Sequence, residues 1–431
     1  MHEDILGKRL LVLGGTLLQC EIIKCAQKMG LDVVVTDYNS VEDSPGKQLV
    51  SEYYPISVTD VDKVVELIKD KKIDGVITGY SDQLLPYFAE ICEKSGLPCY
   101  GTKEQFDLLI QKKDYRNLFK RFNIPVVDGF ETNSIESIDF NSLCFPLLTK
   151  PSDGSGSRGV RVSETITDFV HNFNYSKSFS KSGDVIIEKC MSGQELVSFW
   201  FIQRGIVYLT ALGNWHKNKY YDNTNLMGVG YSFPSVFLEK YAIDIVPKVQ
   251  KMIDYVGIKE GTMFMQGFLE NNILKIYDVG FRLTGTLEYK IINHFCGFDI
   301  MERMIEYSIT GSSGPSVNNL VDPYFGGKYA WNASVLIRPG KIKQIIGFDK
   351  VKESYGVIDA VLNHSIDDVI LDEEKGQLKQ IALRVLGFSD TPEGIVQNVK
   401  NVFSCFDVID EFGNSMVLEP RNLEDFSKYV I

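Results

Sequence analysis

Apolar and polar positions fall into alternating blocks over the first hundred residues. "KRLLVLGGT" is a continuous apolar run closed by Gly14 and Gly15, "LLQCEIIKCAQKMG" has helical period and stops at Gly30, and "LDVVVTD" is a second run ending at Asp37. This is a β-α-β unit. Asp60 is placed to cap "VDKVVELIKDKK", "IDGVITGY" reads as another strand, and Ser81 is placed to cap "DQLLPYFAEICEKSG" before a short strand at "PCYGT". Residues 1–105 are therefore expected to form a small doubly wound α/β domain.

Beyond it the periods change. "TKEQFDLLIQKKDYRNLFKRFN" reads as one helix, ended by Pro125. Then come the strand "FPLLTK", a glycine stretch, the strand "GVRVS", a helix near "ITDFVHNF", a Ser/Lys-rich loop over 174–183 and the strand "DVIIEKCM". "ELVSFWFIQRGIVYLTAL" predicts a hairpin turning at Arg204-Gly205, and "GTMFMQGFLENNILKIYDVGFRLTG" another turning at "ENN", with a helix over 237–256 between them. The loop over 214–230 is polar and aromatic. "GSSGPSVNNLVDPYFGG" reads as a linker to a smaller strand-rich region, whose helix has Thr391 as cap and Pro392 at its first position.

Composition narrows the class. The 431 residues carry a net charge of −12 with no block of Lys and Arg, which argues against nucleic acid and anionic membrane as partners. No apolar run reaches the length of a membrane span, and the acidic N-terminus is unlike a signal peptide, so the expected location is the cytoplasm. The eight cysteines show no C-x-x-C and most lie in apolar patterns, as buried thiols do, and five scattered histidines offer no zinc helix.

The stretch "LLTKPSDGSGSRGVRV" holds G-x-G-x-x-G at Gly154, Gly156 and Gly159. A dinucleotide fingerprint needs a helix next, yet "VRVS" is β-branched and alternating; a Walker loop needs Lys after the glycines, yet Lys150 precedes them. The kinase H-R-D and D-F-G sequences are absent. What is left is a hairpin loop able to fold its N–H groups over phosphates. Gly14-Gly15 with Asp37 forms only half of a dinucleotide fingerprint, and a tight turn explains it better. In "VIIEKCMSGQE", Glu188, Lys189 and Glu195 could serve an adenosine, against the simpler reading of a surface turn at Ser192-Gly193. Gln266 and Asp278 on the second hairpin could hold Mg²⁺ against phosphates, and Arg282 lies at even spacing from Asp278 on the same face; a solvated Asp–Arg pair is the simpler alternative.

Taken in this order, "QKKDYRNLFKRFNIPV", "FPLLTKPSDGSGSRGVRV", "VIIEKCMSGQE" and "GTMFMQGFLENNILKIYDVGFRLTG" resemble the ATP-grasp superfamily, with its carbamoyl-phosphate-synthetase, biotin-carboxylase and amino-acid-ligase branches most similar. The resemblance implies an α/β and α+β multidomain fold: an N-terminal doubly wound domain (1–105), an ATP-grasp domain of two α+β subdomains (106–311, its lid over 127–190) and a small strand-rich C-terminal domain (312–431). By matched position, Lys112 (chosen over Lys113 by its distance to "IP") and Lys150 would contact ATP phosphates under the loop 153–159, including Ser155, Gly156 and Ser157. Glu188 and Lys189 with the Met191 backbone would hold adenine, Glu195 would sit near the ribose, and Arg282 and Lys150 would be catalytic. The family usually has Glu at Gln266, Glu at Asp278 and Asn at Gly280, so only one carboxylate is kept for Mg²⁺ or Mn²⁺. The implied activity joins a small-molecule carboxylate to an amine through an acylphosphate, and homodimers are common in the family. Its rivals are an ATP-binding protein with a degenerate metal site and a carboxylase or carbamoyl-phosphate-type enzyme using bicarbonate. His216, Tyr220 and Glu288 are candidates for the acceptor pocket.

Overall fold

The computed structural model describes residues 3–154, 159–217, 228–271, 273–418, 420 and 423–431. Four parallel strands, β1 (Arg9–Leu13), β2 (Asp32–Thr36), β3 (Glu52–Tyr54) and β4 (Gly75–Ile77), lie in the order β3-β2-β1-β4. Their apolar runs are buried because helices such as Gln19–Lys28 and Val61–Lys71 pack against them. The half-fingerprint is closed by the chain itself: Asp37 Oδ2 accepts from the Gly15 N–H at 2.7 Å, and the Gly46 N–H bonds the Gly15 carbonyl at 2.8 Å.

Three local expectations fail here. Neither Asp60 nor Ser81 caps through its side chain; Asp60 instead holds Lys63 at 2.6 Å. "PCYGT" is not a strand, because Tyr100 is drawn into an aromatic cluster with Phe88, Phe106 and Phe281, at ring-centroid distances of 5.7, 5.1 and 5.2 Å.

The long helix expected after residue 102 is two helices. Lys103–Ile110 is started by a capping box between Thr102 and Gln105, and Lys112–Arg121 begins anew after Gln111, which is extended at φ −73° and ψ 115°. The break makes Lys112 the first residue of the second helix, with Arg116 one turn on along the same face.

A small antiparallel sheet follows, made of β5 (Gly129–Thr132), β6 (Leu147–Pro151), β7 (Arg161–Ser163) and β8 (Val185–Lys189) in the order β5-β8-β6-β7. The helix on its face, Ile166–Ser178, runs further into the Ser/Lys-rich stretch than expected. Its last turn is held by Ser176, whose buried hydroxyl donates to the Gly159 carbonyl at 2.7 Å. This subdomain is moored where Val127 and Pro125 exchange backbone bonds with Ile276, both 2.9 Å.

The remaining strands are β9 (Gln194–Gln203), β10 (Ile206–Lys217), β11 (Gly228–Phe233), β12 (Glu260–Glu270), β13 (Ile273–Gly280), β14 (Tyr329–Ile337), β15 (Gly340–Ile346), β16 (Val357–Leu362), β17 (Val369–Ile370), β18 (Ile381–Ser389), β19 (Asp407–Asp410) and β20 (Val417–Leu418). β9 and β10 turn at Arg204-Gly205, both at positive φ as a two-residue hairpin requires. One sheet runs β13-β12-β9-β10-β11-β14-β18-β16 among the described residues, so β11 pairs directly with β14 across the sequence linker. Thr391 caps the helix Pro392–Cys405 as expected, accepting from the Gly394 N–H at 3.1 Å. No helix among the described residues is long and apolar enough to cross a membrane.

Candidate active site

β6 carries Lys150 and β8 carries Glu188 onto one face of the small sheet. Glu188 lies opposite Leu148, which places it diagonally beside Lys150. The Lys150 ammonium is 2.9 Å from Glu188 Oε1, and Arg116, reaching over from its helix, pairs with the same carboxylate. All three side chains are buried. Lys112 turns onto the glycine loop, donating to the carbonyls of Ser152 at 3.1 Å and Gly154 at 2.9 Å, whereas Lys113 is exposed. Burial, then the charges of Arg116 and Lys112, push the Lys150 ammonium well below its ordinary range, and Asp278 opposes them. These groups therefore share one field. Asp278 shows the reciprocal effect: burial raises its carboxyl, while Lys112 and Lys150 pull it down.

Glu188 and Lys189 offer the outside less side chain than the sequence reading expected. Glu188 is consumed by its two cations, and Lys189 pairs with Glu270 at 3.0 Å. The Lys189 N–H donates to the Asp128 carbonyl at 3.2 Å, whereas the Met191 N–H has no partner among the described residues and is left for a ligand. Glu195 is buried, ion-paired with Lys217 and hydrogen-bonded by the Tyr277 hydroxyl. Ser155, Gly156, Ser157 and Arg158 of the loop, and Tyr220, lie outside the described residues.

The metal expectation meets a specific obstacle. Gln266 stands directly opposite Asp278 in the β12–β13 register, and both line the cleft. Gly280 stands opposite Phe264, and a Cβ added at Gly280 would lie 2.2 Å from that ring. Phe264 thus fills the space that a third ligand would need. Among the described residues no three His, Cys, Asp or Glu side chains converge for a metal. A two-ion, all-carboxylate site does not fit; one Mg²⁺ held by Asp278 and the Gln266 amide together with ATP oxygens does.

Arg282 follows β13, packs over Phe264 at 5.3 Å, and makes a fork of two 2.8 Å bonds to Asp82, the first residue of the short 3-10 helix Asp82–Leu84 beyond β4. It borders a cleft of about 620 Å³. One end of the cleft holds Asp278, Gln266 and Tyr277; the N-terminal domain gives Thr16–Leu18 and Tyr80–Asp82; the far wall comes from β14 and β18. Of the acceptor candidates, His216 points elsewhere. It bonds Ser232 at 2.7 Å, lies 4.5 Å from the Phe426 ring, and burial holds its pKa down to about 4. Glu288 is buried next to the cleft, and burial raises its carboxyl to about 7 against the hydrogen bond from Thr286.

The sequence reading missed Arg116, Asp82, Tyr277, Lys217 and the far wall. Arg116 had a signal, its spacing of one turn from Lys112. Asp82 had none, being brought to Arg282 only by the tertiary fold.

A model of the ATP-grasp N-terminal domain matches residues 23–99. Among solved structures, an L-amino acid ligase from Bacillus licheniformis superposes with a TM-score of 0.77 at 17% identity, covering 94% of this chain and 99% of the other. The chain has the ATP-grasp fold. A second ATP-grasp neighbour in shape is the biotin carboxylase domain dimer of Hydrogenobacter thermophilus 2-oxoglutarate carboxylase with MgADP and bicarbonate, at TM-score 0.76 and 16% identity over 98% of this chain and 97% of that one. In sequence, the small subunit of 2-oxoglutarate carboxylase from the same organism is 23% identical over 69% of this chain and 66% of its own length. Phosphoribosylamine–glycine ligase of Lactococcus lactis is 26% identical over 54% of this chain and 57% of its own. The chain thus spans under two thirds of these relatives, and only 16% of the carbamoyl phosphate synthase large chain of Clostridium botulinum. Lys150 comes from the sheet β5–β8 and Asp278 from β13 of the larger sheet, so the two groups whose charges act on each other belong to different sheets.

Proposed function

We propose that the chain is an ATP-dependent ligase that joins a carboxylate to an amine. The observation that carries this reading is the convergence of Lys112 and Lys150, from two separate elements, on Asp278 at one end of a cleft that continues past Arg282 to a distant wall. Lys150 and Arg116 are buried and share Glu188, and with Lys112 and Asp278 the cluster sets three cations against two carboxylates, a surplus of positive charge that a triphosphate would meet. The Met191 N–H, without a partner among the described residues, suits an adenine edge.

In the proposed reaction a substrate carboxylate oxygen attacks the γ-phosphorus, the bond to the β,γ-bridging oxygen breaks, and ADP leaves. The acylphosphate is then attacked at its carbonyl carbon by the amine, which loses a proton as inorganic phosphate departs. Lys150 and Lys112 orient the phosphates and neutralise charge there, and Arg282, fixed by Asp82, faces the transferred group. Mg²⁺ on Asp278 and Gln266 would screen the phosphate oxygens.

Lys150→Ala is expected to lower ADP release at least 100-fold in assays with mixed carboxylates, amines, ATP and Mg²⁺, while circular dichroism stays native. An unchanged rate and ATP affinity would sink the phosphate assignment. The Gln266 and Phe264–Gly280 arrangement favours a second reading, an ATP-binding protein without turnover. Saturable ATP binding with no ADP release in any mixture would select it, and ADP release dependent on bicarbonate alone would point to carboxylation.

A further inference from the structure

The far wall of the cleft holds a charge that the proposed reaction does not use. Arg384 lies on β18 opposite Ser334 on β14, and Asn332 lies two residues along on the same face, with Tyr231 of β11 opposite it. All four line the cleft. Arg384 is only 7% exposed, yet its guanidinium makes no hydrogen bond or ion pair among the described residues. The groups whose charge reaches it are Tyr231 and Glu288, neither close enough to pair. Asn332 is half used. Its Nδ2 donates to the Thr286 carbonyl, which fixes the amide, and its buried Oδ1 has no partner.

An orphaned cation and an orphaned acceptor on one wall call for a ligand with an anion at one point and an N–H at another. A fork of guanidinium donors matches a carboxylate. Lys379 also lines this end but is already paired with Glu374, so Arg384 offers a single uncompensated charge, which suits a carboxylate better than a phosphate. We propose that Arg384, with Ser334 and Asn332, is the subsite for a carboxylate borne by the amine substrate, so that the acceptor is an amino acid whose carboxylate rests on Arg384 and whose N–H meets Asn332 Oδ1. This rests on the ligase reading for its chemistry, though the subsite itself is a matter of binding.

The test compares each standard L-amino acid with its amide, which lacks the carboxylate, as the amine in the ADP-release assay, using wild type, Arg384→Gln and Arg384→Lys in the full chain. The wild type is expected to favour the best amino acid over its amide by at least 10-fold in KM. Arg384→Gln is expected to raise KM for that amino acid 10-fold or more, to erase the preference and to leave KM for ATP within twofold, with Arg384→Lys in between. Arg384→Gln should also have an unchanged or higher Tm without ligand, since it removes an unpaired buried charge; a Tm lowered by several degrees would show a structural role and overturn the proposal. So would equal use of amides by the wild type, or an unaltered preference in Arg384→Gln. If no mixture releases ADP, the ligase reading fails by itself. Calorimetric titration of the same amino acids then decides the subsite: binding by wild type and not by Arg384→Gln upholds it, and no difference, or no binding to wild type, overturns it.

Discussion

At the scale of the residue, burial sets the chemistry of the ionisable groups more than their neighbours do. Glu288 shows it, its carboxyl lifted to about 7 chiefly by burial. The folded form therefore binds a proton that the unfolded chain has released, over the window from the ordinary carboxylate value near 4.5 up to about 7. Stability falls as pH rises through that window and stays reduced above it, by roughly 3 kcal/mol in total. His216 acts the other way, since its value near 4 makes stability rise with pH between about 4 and 6.5. Glu288→Gln is expected to remove the falling contribution, so its Tm, compared with wild type at each pH, should gain most above pH 7 and almost nothing at pH 4.5. A constant difference across pH 4.5–8 would show that Glu288 is charged in the fold.

At the scale of the element, the β12–β13 hairpin determines what the Asp278 end of the cleft can hold. Gly280→Asn alone is expected to destabilise the protein by about 1–3 kcal/mol, because Phe264 occupies the space beside it. Combined with Phe264→Ala, the cost should be several tenths to a few kcal/mol less than the sum of the two single changes, as thermal or urea unfolding would measure. Strict additivity would mean the two side chains do not compete. This hairpin was legible in the sequence, as was the one turning at Arg204-Gly205, because alternation and turn residues are local signals. The helix break at Gln111 was not legible, since "DLLIQKKDYRNLF" keeps helical composition through it and only packing separates the halves. For the same reason the residue types at Lys112, Lys150 and Asp278 could be picked from motifs, while Glu188's role as counter-ion rather than exposed ligand could not. A strand-end carboxylate looks alike in sequence whether it faces solvent or two buried cations.

At the scale of the molecule, the C-terminal region is a continuation of the central sheet rather than an appendage. β11 pairs with β14 over four register positions, and Lys290 bridges Glu21 of the first helix to Asp359 of β16. A chain cut after residue 311 is expected to expose the edge of β11 and the faces of Phe233 and Phe295 that meet Phe325, and so to be insoluble or to lack cooperative unfolding. A soluble, cooperatively melting 1–311 fragment would contradict this. The far wall lay beyond sequence reasoning because it is assembled by pairing strands about fifty residues apart, with no motif in either.

That shared sheet has one more consequence. Asp278 and Arg384 belong to strands of the same hydrogen-bonded array, whereas Lys150 rides on the smaller sheet moored at Val127 and Ile276, so a change in the tilt of the smaller sheet would shift Lys150 against Asp278 and leave Asp278 and Arg384 in register with each other. Asp278 and Arg384 lie on strands six steps apart in the sheet order yet line one cleft, so the sheet curls between them and brings the two ends of the array towards each other.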